Sequence, residues 1–491
     1  MNVNPSIFRE YDIRGIVGDH FDERVVKEYE KWYGTFPGLT IDFATAEAIG
    51  KAYGSRIRER GGKKVLVGHE LRPFGEQLKM HFVKGVRSTG CDVYDAGVSL
   101  TPIIYFGIAY YGYDGGVNIT GSHNVYFYNG FKTMAKDVYP IYGEELQKMR
   151  MMIEADMYTT DSSGSYHLTT IVKDYEKYLL DHIQLKKKLK IVIDCGNGSA
   201  GIFAPNILRR LGCEVVELYT KPDATFPNHV PDPADEYYMT DLSAKVLEVK
   251  ADMGIGIDAD GDRMGLVDER GKFEYADRIL SVFVNHLIET SDQTKVLYDV
   301  KCANVVKKTI EGKGAIPLMH RTGHAPIKET IRNDNSIAFA GELSGHFYFI
   351  HDYFKIDDGI YAAAQFMSLL EKDVSSYFAE LPASVVTPEL KLPCSDEKKK
   401  AVVSAVSAHF EKNYEVIKLD GARIVFSKDS WALVRASNTT PYISLRFEAN
   451  SEKEVLEMKT LVDNELKAFP EVVDRLDLEN VTSHTGRLGW I

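Results

Sequence analysis

The sequence predicts an α/β protein, with three similar mixed-sheet α/β domains and a C-terminal α+β domain around a central cleft. Three observations predict it. An apolar strand, a helical stretch and a second apolar strand recur, opening at Lys64-Val65-Leu66-Val67-Gly68, Lys190-Ile191-Val192-Ile193-Asp194 and Lys295-Val296-Leu297-Tyr298-Asp299. Each recurrence then reaches a further strand that ends in a loop of reactive side chains. From about Lys391 the texture changes to alternating strands with helices before and after them. Apolar strands joined by helices read as parallel units buried on both faces. Helices segregated around alternating strands read as α+β.

In the first unit a helix runs from the opening strand to about Gly85-Val86-Arg87, and Cys91-Asp92-Val93-Tyr94 is the second strand. In the second, a glycine turn leads to a helix ending at Leu208-Arg209-Arg210-Leu211-Gly212, then the strand Cys213–Leu218. In the third, a helix from Ala303 to about Glu311 precedes Ala315-Ile316-Pro317-Leu318. The spacing of the openings fits three like domains rather than a short-period solenoid. The later strands are Val117–Thr120, Met253–Ile257 and Ile337–Ala340. The C-terminal domain reads as a helix from Asp396 to about Lys412, strands at 421–426, 431–435 and 442–448, and a helix from about Ser451 to Ala468. The expected domains are 1–165, 166–273, 274–386 and 387–491. The sequence does not assign a role to segment 22–41, and 477–491 reads as a tail.

A length of 491 residues fits about three to four domains. An apolar fraction of 44% and a charged fraction of 26% are those of a globular protein, with material for several cores. A net charge of −12 argues against nucleic acid and anionic membranes as partners. No signal peptide and no bilayer-spanning run is visible. Five scattered cysteines (Cys91, Cys195, Cys213, Cys302, Cys394) with no CxxC pair read as reduced thiols, and a cytoplasmic setting is expected.

The strand-end loops carry the chemistry. Gly121-Ser122-His123-Asn124 presents a serine beside a histidine at the mouth of a strand, with Lys132 following. Such a serine suits a covalent phosphoryl or acyl carrier, although serine after glycine is equally a turn or cap residue. Asp258-x-Asp260-x-Asp262 places three hard oxygen donors on one tight loop, which suits Mg²⁺. Glu269 falls at the twelfth position of an EF-hand count, but Arg263 stands where that loop needs glycine. Arg263 also points to phosphate nearby. Glu342 and Ser344 offer an acceptor and a hydroxyl for a sugar, or form a polar turn. Arg435-Ala436-Ser437-Asn438-Thr439-Thr440-Pro441 has the composition of a phosphate cradle, or of a capped turn. Gly196-Asn197-Gly198-Ser199-Ala200-Gly201 matches GxGxxG between a strand and a helix, the pattern of a nucleotide-dependent oxidoreductase. That reading leaves Ser122 and the aspartates without a role.

Taken together, the loops from Tyr11-Asp12-Ile13-Arg14-Gly15 to Arg435 resemble the α-D-phosphohexomutase family, in its phosphomannomutase/phosphoglucomutase branch. The resemblance covers nearly the whole chain, with four signature loops in family order. It implies a heart-shaped arrangement of four domains. It implies that Ser122 is a phosphoserine, and that Asp258, Asp260 and Asp262 hold Mg²⁺ together with a phosphoryl oxygen on Ser122. Lys132 and Arg263 would support phosphoryl transfer and proton movement, with His324 in the catalytic set. Glu342 and Ser344 would hold sugar hydroxyls. Arg435, Ser437, Asn438 and Thr439 would bind the phosphate that is not transferred. Tyr11, Arg14, Lys301, His324 and His346 would be further cleft contacts.

The implied reaction interconverts hexose 1-phosphate and hexose 6-phosphate, of mannose and/or glucose, through a hexose 1,6-bisphosphate that also serves as activator. The implied partners are small hexose phosphates, for a monomer or homodimer. A phosphoglucosamine mutase with the same mechanism, the nucleotide-dependent oxidoreductase and a non-catalytic sugar-phosphate-binding protein are the other readings. Asn438-Thr439-Thr440-Pro441 resembles the mannose/glucose branch. Val125-Tyr126-Phe127 departs from the family, which usually has proline after the asparagine, and this puts the rigidity of the serine loop in doubt.

Overall fold

The computed structural model describes the chain apart from residues 2, 19, 20, 22, 24, 25, 28, 31–34, 289–293, 352, 439 and 482–491. The described residues form two compact units. One lies within 1–19, 38–295 and 323–380, the other within 20–37, 296–322 and 381–491.

The first unit contains a seven-stranded mixed sheet. Its centre is parallel, with Lys64–His69 between Asp92–Val98 and Gly115–Ile119. Val65, Leu66 and Val67 are wholly buried, as a strand covered on both faces requires. Tyr128–Ala135 then runs antiparallel to Gly115–Ile119, and Ile13–Ile16 antiparallel to Tyr128–Ala135. Asn129-Gly130 locally favours a turn, yet Tyr128–Ala135 is a strand, because pairing on both sides overrides that signal. Lys132 is therefore fixed by a sheet.

Helices Phe43–Glu59 and Gly75–Ser88 pack together through glycines. A Cβ on Gly50 would lie 2.1 Å from the Phe82 carbonyl oxygen, and one on Gly85 the same distance from that of Glu47. Helix Thr101–Tyr111 is buried from Thr101 through Ile108. It opens with Pro102 in its first turn and closes at Gly112, whose φ of 67° suits a glycine cap.

A second sheet in this unit has five strands, in the order Phe273–Glu274, Met264–Asp268, Met253–Ile257, Lys190–Asp194, Glu214–Leu218. The last three are parallel. Met253–Ile257 is buried throughout. The unit also holds the antiparallel pair Ile337–Gly341 and Phe347–Phe349. Gly115–Ile119, Met253–Ile257 and Ile337–Gly341 thus deliver Ser122, Asp258 and Glu342 at their carboxyl ends, where α/β sheets bind ligands.

The second unit is built on a six-stranded antiparallel sheet, Val385–Val386, Tyr442–Ala449, Trp431–Ala436, Ala422–Val425, Glu415–Ile417, with Leu390–Pro393 also on Tyr442–Ala449. Helices Lys399–Phe410 and Glu452–Leu466 cover it, the second capped by the Ser451 hydroxyl. Helix Asn304–Gly312 and strand Ile316–His320 of the third repeat belong to this unit. The segment read as a tail begins as packed structure. Leu476, Leu478 and Val481 join the apolar core, and Lys459 Nζ donates to the Asn480 carbonyl at 2.8 Å. Residues 482–491 of it, and part of segment 22–41, lie outside the described residues. All five cysteines are buried. Among the described residues no helix is long and apolar enough to cross a membrane.

Candidate functional site

Ser122 follows strand Gly115–Ile119 and is 2% exposed. Its φ of 50° lies in the left-handed region that disfavours side chains. Its amide donates to Thr120 Oγ1 at 2.7 Å, and its carbonyl accepts from Arg72. The hydroxyl donates to Asp258 Oδ2 at 3.3 Å, and His123 Nδ1 lies 3.4 Å away. The serine read from the first repeat and the aspartate read from the second are thus hydrogen-bonded.

Asp258, Asp260 and Asp262 are fully buried, and one oxygen of each lies within 4.8 Å of the other two. Lys132 Nζ is 2.8 Å from Asp260 Oδ2 and also pairs with Asp262. Thr101 Oγ1 donates to Asp260 Oδ2 at 2.6 Å. Arg263 sits farther off, with Nε 3.8 Å from Asp258 and NH1 3.5 Å from Asp232. Burial, and then repulsion by Asp260 and Asp262, pushes the Asp258 carboxyl well above the usual range. Burial also works against the charge on Asp260, but Lys132 and Arg14 outweigh it and hold that carboxyl low. Asp260 Oδ1 is buried without a hydrogen-bond partner. Three converging hard oxygens, with Asp260 Oδ1 and Asp262 Oδ1 both lacking a hydrogen-bond partner, fit a divalent cation of the Mg²⁺ type.

A second cluster surrounds His324 and His346. His324 opens helix His324–Asn333, and its Nε2 is 3.1 Å from Asp12 Oδ2. Arg14 NH2 is 3.3 Å from the same oxygen, and Arg14 NH1 donates to the Thr120 carbonyl. Tyr11 lies edge-on to His324 with ring centres 6.1 Å apart. Gly323 has φ 124°, and a Cβ there would come within 2.4 Å of the Tyr11 ring. Glu342 accepts from the Gly323 amide at 2.7 Å and the Tyr348 hydroxyl at 2.9 Å. Burial opposes its charge, but His346 and the Gly323 amide hold its carboxyl at about 2. Ser344 Oγ is 2.9 Å from His346 Nδ1, and His346 Nε2 is 3.5 Å from Asp262 Oδ1. Burial lowers the His346 pKa, but Asp262 and Glu342 outweigh it and raise it above the imidazole norm.

In the second unit, Arg435 ends strand Trp431–Ala436 and donates from Nε to Asp420 Oδ2 at 2.7 Å. The Thr322 amide donates to that same oxygen at 3.1 Å. Ser437 Oγ accepts from the Thr440 amide at 3.2 Å, so the loop is a closed turn. Asn438 follows in that turn, and Thr439 lies outside the described residues. Lys301 is 5% exposed, with Nζ 3.1 Å from Glu389 Oε2. Burial lowers the Lys301 pKa, but Glu389 and Asp299 more than restore it.

Phosphoglucomutase/phosphomannomutase family models match domain I over residues 5–159, domain II over 168–271, domain III over 275–385 and the C-terminal domain over 389–465. The chain belongs to the phosphoglucomutase/phosphomannomutase family. It is 38% identical to a phosphomannomutase/phosphoglucomutase of Pseudomonas aeruginosa, over 94% of this chain and 96% of that one. It is 35% identical to a phosphoglucomutase of Neisseria meningitidis, over 96% and 98%. A crystal structure of a phosphoglucomutase/phosphomannomutase family protein from Burkholderia thailandensis matches with TM-score 0.84 at 34% identity, over 95% and 98%. Four α/β domains with mixed sheets are the architecture of this family, whose enzymes are phosphotransferases of the isomerase type.

For a phosphoglucomutase/phosphomannomutase, the glycine-rich turn needs another explanation. A Cβ on Gly198 would lie 2.5 Å from Ala259 Cα, and one on Gly196 2.8 Å from Pro231. Both glycines are there to allow close packing against neighbouring backbone. The turn packs against the loop that carries Asp258, Asp260 and Asp262, and Ser199 Oγ accepts from the Leu71 amide at 2.7 Å. Sequence reasoning missed Glu70, Arg72, Asp12, Thr101, Lys328 and Asp357. A signal existed for the first two, since His69-Glu70-Leu71-Arg72 closes the first strand of the first repeat. The strand-end rule applied to the third strand applies there as well.

Proposed function

We propose that this protein interconverts hexose 1-phosphate and hexose 6-phosphate, of both mannose and glucose, through a phosphorylated Ser122. The observation that carries the reading is the contact of Ser122 Oγ with Asp258 at 3.3 Å, inside a buried carboxylate triad that Lys132 joins. Phospho-Ser122 gives its phosphoryl group to the free hydroxyl of the bound monophosphate. The Ser122 Oγ–P bond breaks, the new O–P bond forms, and the proton of the attacking hydroxyl ends on the released Ser122 oxygen. The product is a hexose 1,6-bisphosphate, which turns over and returns its other phosphoryl group to Ser122. A divalent cation held by Asp258, Asp260 and Asp262 would neutralise charge on the phosphoryl oxygens. Lys132 and Arg263 add fixed positive charge beside the transferring group.

Glu342 and Ser344 accept and donate to sugar hydroxyls, and His346, with Nδ1 3.3 Å from Glu342 and 2.9 Å from Ser344 Oγ, stands next to both. Arg435, Ser437, Asn438 and Thr439 bind the phosphate at rest. Glucose and mannose differ at C2 alone, so groups that read the other hydroxyls and the phosphate accept both.

Intact-mass and phosphosite analysis, with and without glucose 1-phosphate and Mg²⁺, tests the reading alongside a coupled assay for glucose 6-phosphate. Phosphate on Ser122 that responds to substrate is expected. Unchanged turnover in Ser122→Ala overturns it.

A further inference from the structure

Arg72 is wholly buried and all five of its N–H donors are used. NH2 donates to the carbonyls of Ser122 and, at 2.7 Å, Asn124. NH1 donates to Val125 at 2.8 Å and Tyr128 at 3.1 Å. Nε donates to Glu70 Oε1 at 2.6 Å. That one carboxylate oxygen also accepts from Thr120 Oγ1 at 2.6 Å and the Gly121 amide at 2.7 Å. Thr120 Oγ1 in turn accepts the Ser122 amide. Both peptide groups of Ser122 are therefore held, one through Thr120 and Glu70, the other by Arg72.

These bonds hold Ser122 at its unfavourable φ of 50°. A serine in the left-handed region stays there only when its surroundings over-determine it. Gly121 is part of the fit. A Cβ on it would come within 2.6 Å of the Arg72 guanidinium. Phe226, from the loop after strand Glu214–Leu218, closes the outer face with its ring 4.8 Å from the guanidinium carbon. Where the family usually has proline, this chain has Val125, and the Val125 carbonyl is one of the four that Arg72 gathers.

We infer that the Glu70–Arg72 pair is a latch that sets the position of Ser122 for phosphoryl transfer, doing by hydrogen bonding what a proline does by ring closure. Arg72 is a positioning residue, since its donors are spent on the loop. The inference rests on the phosphoserine reading. A loosened loop leaves the phosphoryl group off the line of attack and lets water reach it, which lowers kcat and shortens the life of the phosphoenzyme. Lysine offers three donors from a point charge and does not span four carbonyls and a carboxylate.

The test compares Arg72→Lys and Glu70→Gln with Asp95→Asn. The last breaks another buried ion pair of the same unit, between Lys79 on helix Gly75–Ser88 and Asp95 on strand Asp92–Val98 at 2.7 Å. Three quantities are read: amide hydrogen exchange across 119–131, the lifetime of phospho-Ser122 without sugar after loading with glucose 1,6-bisphosphate, and kcat with KM. Both latch variants are expected to exchange faster across 119–131. They are expected to lose phosphate sooner and to drop kcat by about 10- to 100-fold with KM near wild type. Asp95→Asn is expected to melt earlier yet keep the wild-type lifetime and kcat. Wild-type exchange and kcat in Arg72→Lys overturn the latch, as does an equal effect of Asp95→Asn. A wild-type protein that never carries phosphate on Ser122 overturns the function instead, and the exchange result then still decides whether the latch holds the loop.

Discussion

Lys328 and His324 lie one helical turn apart, with Lys328 Nζ 3.2 Å from His324 Nδ1. An ammonium only donates, so Nδ1 accepts and the ring proton sits on Nε2, which donates to Asp12. Burial, reinforced by the charge on Lys328, lowers the His324 pKa against the opposing pull of Asp12. The other side of the ammonium faces Asp357 Oδ1 at 2.6 Å, both side chains being wholly buried. Lys328→Met strands that carboxylate and is expected to cost about 3–5 kcal/mol in urea unfolding. Asp357→Asn added to it is expected to restore a large part of the loss. Equal stability of the single and double variants would contradict the pairing.

The Asp258 shift predicts a pH dependence for divalent-cation binding. Burial and then its two neighbours keep the Asp258 carboxyl protonated to higher pH than usual, and a metal ligand must give that proton up. Mg²⁺ affinity is therefore expected to rise with pH above the ordinary carboxylate range. Titration calorimetry in two buffers of different ionisation enthalpy is expected to register proton release. Asp258→Asn is expected to weaken binding and remove the release. Proton-neutral binding by the wild type would show that Asp258 is already ionised.

Asp358 gives a pH-dependent stability with a defined sign. It caps helix Gly359–Leu369 and accepts from the Tyr175 and Tyr353 hydroxyls. Burial, stronger than these hydrogen bonds, raises its pKa from 3.8 to about 6. The folded state therefore holds a proton that the unfolded state has lost between those values. Its contribution is fully present below pH 3.8 and is lost as pH rises to 6, by roughly 3 kcal/mol in all. Asp358→Asn is expected to flatten denaturant midpoints across that window relative to the wild type. Parallel pH profiles would refute the assignment.

Arg435 is held by Asp420, and guanidinium matches phosphate in a way that ammonium does not. Arg435→Lys is expected to raise KM for glucose 1-phosphate about tenfold, roughly 1.4 kcal/mol, with a smaller change in kcat. A fall in kcat at unchanged KM would assign Arg435 to the transfer step rather than to the resting phosphate.

Much of the architecture is legible in the chain because it rests on apolar periodicity. The strands near Lys64, Lys190, Met253 and Trp431 are runs that only a buried sheet accepts. The strand Tyr128–Ala135 was hidden, because Asn129 and Gly130 favour turns and two partners distant in sequence make it a strand. Ser122, the three aspartates and Glu342 were legible for a different reason. Each stands at the end of an apolar strand, and side chains of those types serve no packing purpose there. Arg72 escaped because its role is set by carbonyls up to 56 residues away, and no local pattern encodes them.

The sequence by itself determined the repeated strand–helix–strand units, the reactive loops at their ends and the family. These depend on residue type and local spacing. The tertiary structure decided that Ser122 touches Asp258, that Lys132 joins Asp260 to Asp262, and that Glu70 and Arg72 fix the serine loop. Each of these depends on which buried charges meet across long sequence separations. That is settled by cancelling desolvation against a partner, which only the folded chain brings within reach.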